Sequence, residues 1–326
     1  MRIALVKLSS MGDIIHLGLL IPSLKRALPA LEIEWLIDES FAPLLQDSPF
    51  VSKIHALPLR KIAKNHDFKA LFTLIKTLKN LQTFDLLIDA QGLIKSALIS
   101  RLIPAHKRVG FDKNSAKEGL SALFYDKGIA ISYSEHILKR NATLLSEAFE
   151  IPLLEARDFT EMFIPSQSAR ERVNEMILPG TKKRILFVLE ASKANKIYPR
   201  ERFLELSRLC EREEIYLLWH ENVEHARYIS SRNHALILLE RLTLSELKAF
   251  ILRMNAVIGG DTGVTHLAFA LGIPTITLFG NTPIERFALK KEWALRSENA
   301  RDYDKRDCSI GEIEPARIRA LLEEIL

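Results

Sequence analysis

Short apolar runs that stop abruptly at Ser, Asp or Gly recur along this chain, each followed by a longer stretch with apolar residues at helical spacing. In the first half the runs are RIALVKL, IEWLID and DLLIDA, and the helical stretches include IIHLGLLIPSLKRAL and FKALFTLIKTLKNLQ. A run that is apolar at nearly every position predicts a strand buried on both faces, the state of a parallel sheet covered by helices. Parallel strands need crossovers, so the alternation predicts a βαβ series and an α/β fold.

The alternation pauses and then restarts. Residues 113 to 135 lack clear periodicity, HILKRNATLLSEAF reads as a helix, and IPLLEARDFTEMFIPSQSAR holds two prolines and few periodic apolar positions, which predicts a domain boundary. Beyond it KRILFVLE, EIYLLWH, ALILLE, AVIGGD and PTITLFG read as strands; RERFLELSRLCER, VEHARYISSR, TLSELKAFILRM and TGVTHLAFALG read as helices. Thr243 and Glu246 carry the spacing of a capping box. At 326 residues the chain exceeds one ordinary core. The expectation is two doubly wound, Rossmann-like domains, 1–165 and 166–311, facing a cleft. The closing segment 312–326, a helix without a strand partner, is a candidate to pack back on the first domain. Transferases of the B type, some epimerases and some periplasmic binders share this plan, so fold alone does not choose a function.

Composition narrows the field. With 48% apolar and 27% charged residues the chain is an ordinary globular protein, and its net charge of +5 suits an acidic ligand, a membrane surface or nucleic acid without deciding among them. Cys210 and Cys308 have no metal-like spacing, so neither a zinc site nor a disulfide framework is expected and a reducing compartment, the cytoplasm, is the simplest home. Lys7 and Asp13 interrupt the first apolar stretch, against a signal peptide, and no stretch reaches the ~20 apolar residues of a membrane span.

Two loops carry the chemistry. In SSMGDIIH, at the end of the first strand, Asp13 is expected at the carboxyl edge of the sheet, where α/β proteins bind ligands; it is equally placed to cap the helix opening at Ile14. Gly12 lets the backbone turn, and Ser9 and Ser10 add small hydroxyls, yet neither GxGxxG nor GxxxxGK[ST] is present. In GGDTGVTHLA (259–268) a strand runs through two glycines and Asp261 into a helix, so free N–H groups and the positive helix end converge as an anion site. Gly260 and Gly263 are expected to admit a pyrophosphate closely, and Thr262 to add a donor. Asp261 repels phosphate and suits sugar hydroxyls, with His266 one turn on; a helix cap with a core histidine explains the same residues without a ligand. At neighbouring strand ends Ser192 and Lys196 face a phosphate, and Glu221 or Glu224 a ribose diol, unless these loops are merely solvated. In PLRKIAKNHDFK, Arg60, Lys61, Lys64 and Lys69 form either a solvated face or a receiver for a polyanionic acceptor; no interleaved aromatics support nucleic acid.

Together VKLSSMGDIIH, IEWLIDESFA, DAQGLIKSA, SALFY and DTGVTHL resemble the heptosyltransferases of glycosyltransferase family 9, and SSMGD with DAQGLIKSA resembles the first heptosyltransferase (heptosyltransferase I) of lipopolysaccharide inner-core synthesis more than the second. The resemblance implies the GT-B fold, an ADP-heptose donor, no metal and no cofactor. It implies inverting transfer of L-glycero-D-manno-heptose to the 5-hydroxyl of a 3-deoxy-D-manno-octulosonic acid (Kdo) residue on lipid A. Asp13 then matches the general base, with Ser10 and Gly12 beside the acceptor. Ser192, Lys196, Thr262, Gly263 and Val264 match the groups on the departing ADP; Glu224 matches the ribose contact, Leu242 lies at the adenine, and Asp261 and His266 sit on the heptose side. Arg60, Lys61, Lys64 and Lys117 match the residues that receive Kdo and lipid A phosphates; the basic run separately raises the expectation of a peripheral place on the cytoplasmic face of the inner membrane. Where relatives carry a hydroxyl pair before the phosphate lysine this chain has Ala191 and Ser192, and GNTPIERFALKK departs from the pattern. Another nucleotide-sugar transferase or epimerase, and a nucleotide-sugar binding protein without turnover, are the alternatives.

Overall fold

The computed structural model describes residues 1–156, 161–177, 179–290 and 293–326; residues 157–160 of the proline-containing boundary segment lie outside the described residues. The chain divides into two compact units, Met1–Ile164 and Pro165–Leu326.

The first unit carries β1 (Arg2–Val6), β2 (Glu32–Asp38), β3 (Lys53–Leu57), β4 (Phe84–Asp89), β5 (Ala105–Phe111) and β6 (Lys127–Ile129). They form one sheet in the order β3-β2-β1-β4-β5-β6, every pair parallel. Its helices are α1 (Met11–Gly18), α2 (Ile21–Ala27), α3 (Ala42–Leu45), α4 (Leu59–Asn65), α5 (Phe68–Lys79), α6 (Ile94–Leu102) and α7 (Ile137–Phe149). The central strands are buried on both faces, as their unbroken apolar runs predict, with Ile3, Leu5, Trp35, Leu87 and Ile88 in the interior. The helix expected from residue 14 to 28 is two helices, because Pro22 in the first turn of α2 has no N–H to continue α1. β3 and β5 escaped the apolar criterion: they lie towards the sheet's sides, and KIHAL and AHKRVGF put Lys, His and Arg on exposed or half-buried positions.

The second unit repeats the plan with β7 (Arg184–Val188), β8 (Glu214–Leu218), β9 (Ile237–Leu238), β10 (Ala256–Gly260), β11 (Thr275–Phe279) and β12 (Ala294–Arg296). The order is β12-β11-β10-β7-β8-β9, again all parallel. α8 (Gln167–Met176), α9 (Arg200–Leu209), α10 (Glu224–Ser230), α11 (Leu244–Ile251), α12 (Gly263–Ala270), α13 (Ile284–Phe287) and α14 (Pro315–Ile325) accompany it. The predicted capping box is made: Thr243 Oγ1 accepts from Glu246 N at 3.3 Å, and Glu246 Oε2 accepts from Thr243 N at 2.8 Å.

The expected return of the C-terminal helix to the first domain is corrected. α14 packs on α9 and β11 of its own unit, with Ile318 and Leu322 fully buried in one core with Phe203, Leu206, Ile276 and Leu278. Tyr198 Oη donates to Ile313 O at 2.6 Å, and Arg319 pairs with Glu213 at 2.7 Å, fixing the same docking. The apolar stripe of α14 finds its partner on the flank of the nearest sheet.

Both strand orders reverse direction next to the first strand of their unit, between β1 and β4 and between β7 and β10. In an open parallel sheet the loops on either side of that reversal splay apart at the carboxyl ends of the strands and leave a crevice. The Asp13 loop follows β1, and the loops of Lys196 and Asp261 follow β7 and β10.

Candidate active site

In the first unit, α1 opens at Met11 with Ser10 as its N-cap, so Asp13 is the third residue of the helix and not its cap. Its Oδ2 accepts from Ser10 N at 3.0 Å and from Ser10 Oγ at 2.8 Å. Among the described residues Oδ1 has no partner, and the residue is only half-buried. One carboxylate oxygen is thus anchored while the other is open to a proton. Gly12 lies in the same first turn and is also half-buried.

The loop that carries Asp13 is held from β4. Gln91 Oε1 accepts from Leu8 N at 3.0 Å and Ser9 N at 3.2 Å, closing the reversal point between the two strands. Asp89, fully buried, orients this clamp by accepting from Gln91 N at 2.8 Å and from Tyr125 Oη at 2.8 Å, and Gly92 completes the turn at a φ of 68°. Burial pushes the Asp89 carboxyl up, against the hydrogen bonds it accepts. Beneath the loop Lys7 is buried with Nζ donating to Ala90 O at 2.7 Å; burial lowers its pKa, opposed by the charges of Asp13 and Asp89. The motif DAQGLIKSA was visible in the sequence, but the role of Gln91 needed the neighbouring strand. Gln91→Leu should strip two backbone N–H groups of their acceptor, lower stability by about 1–3 kcal/mol and reduce turnover, whereas Gln91→Glu keeps an acceptor oxygen and most of both. Thermal melting and initial rates on the two variants check this.

The basic residues stand on both sides of Asp13. Arg60, Lys61 and Lys64 are exposed on α4, after β3, and Lys117 is exposed after β5. β3 and β5 are each two strands from β1, on opposite sides of it, which sets these groups roughly 10 Å to either side along the sheet. Arg60 is partly spent locally: its N–H donates to Asp38 Oδ2 at 3.2 Å, and its guanidinium lies 4.5 Å from the Phe41 ring centre. Buried Arg140, which no sequence signal singled out, ties down the Lys117 loop by donating to Ser115 O at 2.6 Å and Ser132 O at 2.6 Å.

In the second unit the convergence is tighter. Asp261, buried after β10, accepts from Lys196 Nζ on one oxygen and meets His266 Nε2 at 2.8 Å on the other. Burial alone raises its pKa, but the His266 and Lys196 contacts outweigh this and hold the carboxyl well below the usual carboxylate range. This corrects two expectations. Asp261 does not present a bare negative charge to an anion, because the Lys196 ammonium pairs with it. Gly260 does not leave room for a pyrophosphate either; a Cβ there would lie 2.0 Å from the carbonyl oxygen of Lys196, so the glycine admits the Lys196 turn.

Thr262 is the N-cap of α12, and its Oγ1 is buried without a partner among the described residues. The Thr265 hydroxyl accepts from Thr262 N at 3.2 Å instead, leaving the Thr262 hydroxyl beside the first-turn N–H groups of Gly263 and Val264. A buried hydroxyl costs free energy until it is hydrogen-bonded, and this one sits where a helix end favours negative charge. Ser192, exposed, follows β7 in the loop that ends in Lys196.

Farther along the same edge Glu224 opens α10, exposed and paired with Arg227 at 2.9 Å, and half-buried Leu242 follows β9. Glu190 orders the preceding loop by accepting from Glu221 N at 2.9 Å and Asn222 N at 2.7 Å, a role the sequence did not indicate. Asn281, after β11, donates to Asp304 O at 3.0 Å and leaves Oδ1 buried without a partner among the described residues.

The family model for glycosyltransferase family 9 (heptosyltransferase) matches residues 71–310. The chain belongs to glycosyltransferase family 9. A family 9 relative from Campylobacter coli, lipopolysaccharide heptosyltransferase 1, is 32% identical and the match covers 100% of this chain and 99% of that protein. The Pseudomonas aeruginosa protein of the same name is 30% identical over 86% of this chain and 79% of its own. In fold, this family 9 chain resembles the structure titled E. coli heptosyltransferase WaaC with ADP, at a TM-score of 0.83 and 22% identity, with 100% of both chains covered. The sheets and switch-point loops described above are therefore those of a GT-B transferase.

Proposed function

We propose that this family 9 enzyme transfers heptose from ADP-heptose to a Kdo residue on lipid A, inverting the anomeric centre, as the first heptose addition of the lipopolysaccharide core. The Thr262 hydroxyl at the N-terminus of α12, without a partner among the described residues and next in the chain to the Asp261 that Lys196 contacts, carries the donor half of this reading. Curated relatives named lipopolysaccharide heptosyltransferase 1 support the acceptor half.

In the reaction the acceptor hydroxyl oxygen bonds to the anomeric carbon as the bond from that carbon to the β-phosphate oxygen breaks. The electron pair leaves with ADP, and the hydroxyl proton passes to Asp13 Oδ1. A carboxylate is a weak base, so it takes the proton late, when the attacking oxygen has become acidic. The larger share of acceleration falls to stabilising the departing diphosphate. Lys196, Thr262 and the N–H groups of Gly263 and Val264 meet that charge; Ser192 adds a hydroxyl on the same side. Asp261 and His266 orient Lys196 and face the heptose, Glu224 takes the ribose and Leu242 the adenine. Ser10 and Gly12 border the acceptor hydroxyl, and Arg60, Lys61, Lys64 and Lys117 receive its carboxylate and phosphates. No metal and no cofactor takes part in this reading, and transfer should persist in EDTA. No described helix is long and apolar enough to cross a membrane; the reading puts the enzyme at the cytoplasmic membrane face, where a lipid-borne acceptor is reached peripherally.

Thr262→Val keeps the shape of the side chain and removes the hydroxyl. It should weaken ADP binding by about 10- to 150-fold, the worth of one hydrogen bond to a charged group, and leave the melting temperature unchanged or slightly raised. Titration calorimetry with ADP checks this, and unaltered affinity would remove Thr262 from the diphosphate site.

A further inference from the structure

α5 has one broad apolar face, and the fold buries only one side of it. Leu78 is buried and Leu74 packs against the core that holds Leu57, Leu59 and Phe84. The adjoining face, roughly a quarter-turn round the helix, shows Phe68 at 78% and Phe72 at 71% exposure, with Leu71 exposed and Ile75 half-buried. These four residues follow the spacing i, i+3, i+4, i+7, so they form one continuous row along the helix. Single exposed apolar side chains are common on protein surfaces, but two almost fully exposed phenylalanines in such a row mark an interaction face.

The charges around the row are of one sign. Lys69, Lys76 and Lys79 of α5 are exposed at its margin, α4 adds its own basic residues, and neither helix contains Asp or Glu. Asp67, between them, is used to cap α5 by accepting from Ala70 N at 2.9 Å. An aromatic and aliphatic row with lysines at its edge is the make-up of a helix that lies in a bilayer interface, its rings among the acyl chains and its ammonium groups at anionic headgroups. A second copy is a poor occupant, since a twofold contact through this face would set the same lysines against one another. α5 also starts at the right place. It descends from the carboxyl end of the sheet, after α4, towards the amino end of β4, so Phe68 and Phe72 lie at the end that carries the Asp13 loop.

We propose that the Phe68–Leu71–Phe72–Ile75 row of α5 seats this enzyme on an anionic phospholipid surface. The inference deepens the proposed function, resting on its lipid-borne acceptor, and gives the peripheral attachment a specific surface. The test uses the full chain and phospholipid vesicles that contain no acceptor, so binding is read independently of transfer. Co-sedimentation should show binding to vesicles of phosphatidylethanolamine with phosphatidylglycerol, and little to phosphatidylcholine alone. F68S/F72S should weaken the binding by about tenfold or more with an unchanged melting temperature, since both rings are already in water. K69E/K76E should weaken it too and abolish its salt sensitivity. Transfer by F68S/F72S to a water-soluble, deacylated Kdo acceptor should be unchanged, while transfer to acceptor embedded in vesicles falls. Absence of wild-type binding to the anionic vesicles, or equal binding by F68S/F72S, would overturn the proposal. So would a concentration-dependent dimer that the same pair of substitutions abolishes, which would assign the row to a second copy. Loss of transfer to every acceptor with vesicle binding intact would instead count against the proposed function and leave the membrane surface standing.

Discussion

Asp13→Asn is expected to lower heptose transfer by roughly 10²- to 10⁴-fold, the usual worth of a positioned general base, while ADP affinity stays within about twofold of wild type. The variant is informative because it changes so little else. An asparagine side-chain oxygen can still accept from Ser10 N and Ser10 Oγ, as Asp13 Oδ2 does at 3.0 and 2.8 Å, so the start of α1 and its approach to β4 persist. What is lost is the negative oxygen that has no partner among the described residues and is open to a proton. Mass spectrometry of a Kdo-lipid A acceptor after incubation with ADP-heptose reads the product as a single added heptose, and ADP titration reads the donor half separately. Near-normal turnover with Asn at position 13 would remove this residue as the base and leave it a purely structural role, holding Ser10 in the first turn of α1.

The second large effect concerns the Lys196–Asp261–His266 cluster. Lys196→Met leaves the buried Asp261 carboxylate with His266 as its remaining partner, and breaking a buried pair from one side costs about 3–5 kcal/mol. Asp261→Asn costs less, because Lys196 is partly exposed and its ammonium can turn to water. The double variant Lys196→Met/Asp261→Asn should therefore lose less stability than the two single losses combined, and a cycle of melting curves measures that coupling. Donor binding follows a different pattern: every variant lacking Lys196 should bind ADP about 10- to 100-fold more weakly, as expected for a lost charge-assisted hydrogen bond.

Acid supplies an independent check on the same cluster. The folded-state carboxyl of Asp261 is held well below the usual range, so its contribution to stability is complete above the unfolded value near 4 and disappears as the pH falls through the lowered folded value. The gap in melting temperature between wild type and Asp261→Asn should be constant from neutral pH down to about pH 5 and should close below about pH 4. A gap that widens in acid would reverse the assigned direction of the shift.

Much of this molecule was legible before any coordinate. Unbroken apolar strands such as IEWLID and AVIGG must be buried on both faces, and that requires helices on both sides of a parallel sheet. SSMGD and GGDTGVT each stop such a strand at a turn that opens a helix, which places both loops on the ligand edge. The strands that escaped are β3 and β5, whose exposed and half-buried positions hold Lys, His and Arg, where burial no longer enforces an apolar pattern, and β6 and β12, whose three residues are too few to show a run. The closing helix was recognised as a helix, but its partner was not, because an amphipathic stripe specifies that a face must be covered and not what covers it.

The sequence by itself determined the residue types that the chemistry needs and the local turns that present them, since backbone geometry and hydrophobic burial act over a few neighbouring positions. Only the tertiary structure decided how those groups are used. Strand order brings Gln91 onto the Asp13 loop and the Lys196 turn against Gly260, and through that approach a lysine 65 residues away in the chain offsets the charge of the Asp261 carboxylate, to which the adjoining helix already brings His266. Such pairings rest on distances across a sheet, which no periodicity along the chain can encode.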